Sequence, residues 1–241
     1  MSAAGVYGKL PAHGDFIQRN LSPAFVRQWD PWLQHFVAGA KEKMGADWLD
    51  IYLTSPIWRF VLSQGVIDEG RWAGILMPSV DQVGRYFPFT IAVRLPENQN
   101  PLEFMSLQTS WFSAIEELGL RALNGEIELD DLAQELEGVP PGLESAYEPA
   151  GVPTETYAMQ VDMELEEQSA ASAYPCMLDA MLSKLLGSYS IWSTTGSERV
   201  ASCVFNVQGL PTADKLPAML DGLWRQWGWV QPYTLKSGSA E

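Results

Sequence analysis

Histidine and cysteine are nearly missing from this chain: 241 residues hold two of each, His13 and His35, Cys176 and Cys203. No His-x-x-x-His or Cys-x-x-Cys spacing occurs, so the convergent ligands of a metal site are not supplied, and no metal or other cofactor is expected. The cysteines lie in the apolar settings YPCML and ASCVF. They read as small buried hydrophobes rather than a disulfide framework, which suits a reducing cytoplasm. No run of eighteen apolar residues exists, so no membrane insertion is expected. The start MSAAGVYGK lacks the basic region, apolar stretch and cleavage site of a signal peptide. Basic residues are scarce as well, with 15 Lys and Arg against 30 Asp and Glu and a net charge of −15. That balance opposes binding to nucleic-acid phosphates or anionic lipid.

The deficit of bases is local. Between Arg121 and Lys184 there is no Lys or Arg but there are 14 acids, leaving 16 acids against 15 bases elsewhere. Such a segment, 122–183, is either a solvated face that keeps the protein soluble or a surface for a basic partner. Hydrophobic residues, by contrast, are plentiful: 46% of the chain, ten of them Trp. That is enough to close one sizeable core, so disorder is excluded for the bulk of the molecule.

Periodicity then places the elements. Ser22-Pro23 starts a helix, and Phe25, Trp29, Trp32, Leu33, Phe36 and Val37 form its apolar face, with a kink or break expected at Pro31. The runs WRFVLSQGV, RWAGILMPS and FPFTIAVRLP, between Trp58 and Pro96, are strands spaced closely enough for an antiparallel meander. Asn100-Pro-Leu-Glu103 opens a long helix carrying Leu107, Trp111, Ile115 and Leu118 to Gly125, and the acidic helix ELDDLAQELEG follows. Gly138 to Pro153 reads as a loop, and the alternation in TYAMQVDM, Tyr157 to Met163, predicts a further strand. A helix through Leu178, Met181, Leu182, Leu185 and Leu186 closes at Gly187. SIWSTTG and SERVASCVFNV make a hairpin about Thr195-Gly196, and a last helix carries Leu216, Met219, Leu220, Leu223, Trp224 and Trp227. The expected fold is α+β: a single domain over 1–236 with a largely antiparallel sheet, meander plus hairpin, packed by amphipathic helices, and a polar tail at 237–241.

The opening GVYGKLPAHGDF imitates chemistry. A phosphate-binding loop needs four residues between its glycines and a hydroxyl after the lysine. Gly5 and Gly8 are separated by two residues, and Lys9 is followed by Leu10, so a strand running into a turn at Lys9-Leu-Pro11 explains the glycines better. His13-Gly14-Asp15 offers a histidine and a carboxylate for a hydrolase, an alternative that uses His13 and Asp15. The orienting partner such a site needs is absent, and His13 reads as an exposed turn residue. No Gly-x-Ser-x-Gly elbow occurs. The residues describe a non-enzyme.

Four segments, in order, carry a family resemblance: GVYGKLPAHGDFIQR, SPIWRFVLSQGV, GILMPSVDQVGRYFPFT and SIWSTTGSERVASCVFNVQGLP. Together they resemble the TagF family of type VI secretion-associated proteins, over Gly5 to about Gly228. The resemblance implies a cytoplasmic accessory protein of a Gram-negative bacterium. It would repress the secretion apparatus post-translationally by engaging the forkhead-associated scaffold protein, in parallel with a threonine kinase and phosphatase switch. Tyr7, Gly8, Lys9, Pro11, Gly14, Asp15 and Phe16 match the family's first segment; Ser79, Asp81, Gly84, Arg85 and Tyr86 match its third. These residues are expected to meet at one end of the sheet. There they either form a polar, aromatic-rimmed patch for a protein partner, or Lys9, Asp15, Asp81 and Arg85 pair internally and hold two loops together.

Overall fold

Apolar runs that are closely spaced and bounded by turns build the centre of a sheet. The computed structural model describes residues 3–142, 145, 159–163, 169–231 and 233–235. In it β3 (Trp58–Leu62), β4 (Arg71–Met77) and β5 (Phe89–Leu95) form the expected meander, with Phe60 opposite Gly74 and Gly74 opposite Ala92. β1 (Gly5–Gly8) adds beside β5, and β2 (Ile17–Arg19), which apolar periodicity did not announce, adds outside β1. On the other side lie β6 (Tyr189–Thr194) and β7 (Cys203–Gln208). The order is β2-β1-β5-β4-β3-β6-β7, and every pairing is antiparallel. The fold is α+β with helices on both sheet faces.

Those two faces explain why the central strands are apolar almost throughout. Val6, Val61, Ile75, Ile91 and Val93 point to a core closed by α3 (Pro101–Leu107), α4 (Thr109–Leu123) and α5 (Leu129–Glu137). Tyr7, Trp58, Phe60, Leu62, Trp72 and Trp192 point the other way, to a core closed by α1 (Pro23–Met44), α2 (Trp48–Leu53) and α7 (Ala218–Asp221). In that second core the Trp29 indole N–H donates to Thr90 Oγ1 at 2.9 Å, so even the central hydroxyl is satisfied.

Several expectations are corrected. α1 runs through Pro31 without a break. The ring lies on the exposed side of the helix, and burial of Phe25, Trp29, Leu33 and Phe36 on the opposite stripe, at about 1.5–3 kcal/mol each, outweighs a proline's cost of about 3 kcal/mol. The long helix after Asn100 is two helices, α3 and α4, divided at Gln108. The last helix shrinks to the four residues of α7: Gly222 adopts φ 72° and ends it, and the Asp221 carboxylate takes the Leu223 N–H and the Trp227 indole N–H. The hairpin connection is the long stretch Thr195–Ser202 rather than a tight turn. Met159–Met163 is not a strand, and Tyr157 lies outside the described residues. Gly138–Gly142 is irregular, as expected of a loop, and most of the rest of 138–153 lies outside the described residues. α6 (Tyr174–Leu186) forms, yet only Leu182 and Leu186 of its stripe pack on the core, while Leu178, Met181 and Leu185 are exposed. Both cysteines are half-buried rather than buried, and burial pushes the Cys203 thiol up to about 11.

Candidate functional site

The two segments singled out by sequence do meet, at one end of the sheet. β1 delivers Lys9 into a turn in which the His13 N–H donates to Leu10 O at 3.0 Å. β4 delivers a loop closed on itself by Asp81 N–H to Arg85 O at 3.0 Å and by a bridge between Val80 and Tyr86. Asp81 and Arg85 therefore pair across a loop, not along a helical turn. The two loops are stitched together: Ser79 Oγ donates to Lys9 O at 2.6 Å, Gln82 N–H to His13 O at 3.0 Å, and Arg85 Nη2 to Gly14 O. No side chain other than glycine's hydrogen fits at position 8, since φ is 132° and a Cβ would stand 2.1 Å from Pro88 O.

A buried carboxylate organises the junction. Lys9 Nζ and Arg85 Nε each donate to Asp81 Oδ2 at 2.6 Å, while the backbone N–H groups of Val83 and Arg85 donate to Oδ1 at 3.1 and 2.8 Å. The side chains of Lys9 and Asp81 are 5% and 0% exposed; that of Arg85 is 57% exposed. Burial by itself would raise the Asp81 carboxyl, but the bonds from Lys9 and from the Arg85 backbone and guanidinium outweigh it and hold the group well below the ordinary carboxylate range. Tyr52, which sequence reading did not single out, clamps the base of the loop. Its hydroxyl donates to Ser79 O and accepts the Ser79 N–H, both at 3.0 Å.

Aromatic rings frame this junction. Phe16 stacks on Tyr7 with centroids 6.0 Å apart and meets Phe87 edge-on at 4.8 Å, and the Lys9 ammonium lies 4.8 Å from the Phe16 centroid. The Tyr7 hydroxyl donates to Asp30 Oδ1 at 2.6 Å. Tyr86 packs edge-on against Trp48 and Tyr52.

The twelve residues thus divide by exposure. Tyr7, Gly8, Lys9, Ser79 and Asp81 are buried, Pro11 and Tyr86 half-buried, and Gly14, Asp15, Phe16, Gly84 and Arg85 exposed. The ion cluster joins Lys9, Asp81 and Arg85. Asp15 stands outside it, its Oδ1 accepting the Phe16 N–H at 2.8 Å. His13 is half-buried rather than exposed, with Nδ1 shielded and without a hydrogen-bond partner among the described residues. The junction leaves in solvent a rim of Gly14, Asp15, Phe16, Gln82, Val83, Gly84 and Arg85, with Val83 67% exposed. Val83, Phe87 and Tyr52 were not singled out. The first two sit inside the third segment, but the Tyr52 contact crosses 27 residues of sequence and leaves no local signal.

An open cleft of about 540 Å³ lies elsewhere, between α4 and α5, lined by Arg121, Glu126, Glu128, Asp131 and Glu135. Its one base is already held, by two bonds from Arg121 to the Glu135 carboxylate at 2.6 and 3.0 Å. Among the described residues no group of three or more His, Cys, Asp and Glu side chains is placed to hold a metal ion, and no helix is long and apolar enough to cross a membrane.

Fold and site define an antiparallel α+β protein whose charged turn residues lock two loops together and leave a mixed rim, with Phe16, Val83, Asp15 and Arg85, in solvent. The model of the TagF N-terminal domain, described as type VI secretion system-associated, matches residues 5–139. The chain belongs to this family. Its structure is similar to the crystal structure of PA0076 from Pseudomonas aeruginosa PAO1, with a TM-score of 0.77 and 32% sequence identity over 98% of this chain and 100% of that one. No curated protein matches in sequence.

Proposed function

We propose that this chain is a non-enzymatic, cytoplasmic, post-translational repressor of a type VI secretion system, and that it acts by binding the forkhead-associated scaffold of the apparatus. Membership in a type VI secretion-associated family supports the biological setting. One geometric observation supports binding over catalysis: the buried charges at the junction, Lys9 and Asp81, are paired with each other. Lys9 and Arg85 both bind the buried Asp81 carboxylate, Arg85 from the solvent side, and Asp15 caps its own loop. Neither Asp15 nor His13 is bonded to the other, so the orienting contact a hydrolytic pair needs is not made. The rigid junction instead presents Phe16, Val83 and the outer face of Arg85 on a preorganised support, the arrangement that limits the entropy lost on docking.

Affinity measurements between the purified chain and the purified scaffold test this reading. Val83→Asp alters only the exposed rim, while Phe16→Ser also removes the ring's contacts with Tyr7, Phe87 and Lys9. Both are expected to keep the wild-type circular dichroism spectrum while weakening binding about tenfold or more, the effect of losing about 1.4 kcal/mol. Unchanged affinity in both variants removes the rim as the docking surface; absence of binding by the wild-type chain removes the scaffold as the partner.

A further inference from the structure

The sheet has two edges, and they are built differently. At one edge β2 is only three residues long and ends at Asn20, whose φ of 56° turns the chain away. Arg19 places a charge there and pairs with Asp130 of α5 at 3.5 Å. A short, charged strand is the usual protection against pairing with another chain. At the other edge β7 has six residues, CVFNVQ, with no charge, proline or glycine.

The ladder decides which backbone groups of β7 are free. Gly209 N–H donates to Ser188 O at 3.0 Å, and the register continues with Ser190 opposite Val207 and Trp192 opposite Phe205. In an antiparallel pair, bonded and non-bonded positions alternate. Cys203, Phe205 and Val207 therefore exchange bonds with β6, and Val204, Asn206 and Gln208 turn their N–H and C=O groups outward. Those outward groups have no hydrogen-bond partner among the described residues. The side chains of the same three residues are exposed, Val204 at 65%.

We infer that β7 is an interface between two copies of this chain, paired antiparallel about a twofold axis at Asn206, so that the sheet runs on from one copy into the other. A row of alternating donors and acceptors is satisfied by another strand. The strand suits its own copy: the axis sets Val204 against Gln208 of the second copy and Asn206 against itself, so no like charges face each other. The sheet is antiparallel in every pairing, and a twofold continuation preserves that. Phe205, whose ring centroid is already 4.7 Å from that of Trp229 and 5.4 Å from that of Trp58, comes to lie beside Val207 of the second copy, which extends the apolar cluster on that face. The pairing also closes, because each copy uses its long open edge and the remaining β2 edges are short and charged.

Sedimentation equilibrium on the wild-type chain and on Val204→Lys and Asn206→Lys tests the inference. Both substitutions place a charge on an exposed, outward-facing position, so folding is read separately by circular dichroism. The expected result is a dimer for the wild type and monomers with an unchanged spectrum for both variants. A second arm places Asn206→Cys in a Cys176→Ser, Cys203→Ser background. Twofold-related Cα atoms at a bonded pair stand about 5.5 Å apart, inside disulfide range, so mild oxidation is expected to cross-link the dimer covalently. A wild-type chain that is monomeric at every concentration overturns the inference, as does a dimer that survives both lysines or one that fails to cross-link.

Discussion

Asp81 is the residue on which the candidate site turns. It accepts four hydrogen bonds, from Lys9 Nζ, Arg85 Nε and the Val83 and Arg85 amides, and its carboxyl is held below the ordinary range. The sign of the pH dependence follows. An unfolded chain takes up this proton near pH 3.9, whereas the folded chain resists it to lower pH. Between those limits the unfolded state binds more protons, and acidification favours unfolding. The stabilisation is complete above about pH 4 and is lost as pH falls below it. Urea unfolding of wild type and Asp81→Asn from pH 6 to pH 3 checks this. The variant is expected to have the lower midpoint at pH 6, where Lys9 has lost its buried counter-charge, and the shallower decline below pH 4. Arg85→Ala separates the two expected roles of the cluster: a lowered melting temperature assigns Arg85 to holding the loops, and lost scaffold binding at an unchanged melting temperature assigns it to the docking rim.

At the scale of elements, start signals and the glycine stops at Gly125, Gly138 and Gly187 were legible, and the breaks at Gln108 and Gly222 were not. Ser22 accepts the Phe25 N–H at 3.1 Å, and Asn100 accepts the N–H groups of Leu102 and Glu103 at 2.9 and 3.0 Å, as their positions before proline predict. Asn100→Ala is expected to cost about 1 kcal/mol and to lower the melting temperature by about 2–4 °C, a typical shift for a domain of this size. Differential scanning calorimetry measures it. Breaks depend on packing that lies far away in sequence. Gln108 interrupts a sound apolar stripe so that Phe104, on α3, and Trp111, Phe112 and Ile115, on α4, all reach the same core. The residues of α6 have helical spacing, but spacing says only that a face is apolar. Whether the face is covered depends on what lies beside it, and Leu178, Met181 and Leu185 are exposed.

At the scale of the whole molecule, charge and hydrogen bonding pull in different directions. A net charge of −15 on each copy repels a second copy, while the inferred pairing of β7, unpaired among the described residues, holds one. Salt screens the first and leaves neutral backbone bonds nearly untouched. The dimer inferred from β7 is therefore expected to tighten as salt rises from about 0.05 M to about 0.5 M, where the Debye length shortens severalfold. Sedimentation across that series reads it, and a dimer that loosens with salt instead points to an interface held by ion pairs.

The sequence by itself determined the α+β class, the meander and the cored first helix. Each of these rests on local periodicity, capping and turn chemistry, which neighbouring residues dictate within a few positions. Only the tertiary structure decided that Lys9 and Arg85 meet on the buried Asp81 carboxylate, that Tyr52 clamps Ser79 and that, among the described residues, one sheet edge is short and charged while the other is unpaired. These depend on groups tens of residues apart coming within 3 Å, or failing to, and the desolvation and hydrogen bonding that settle such contacts exist only once the chain has folded.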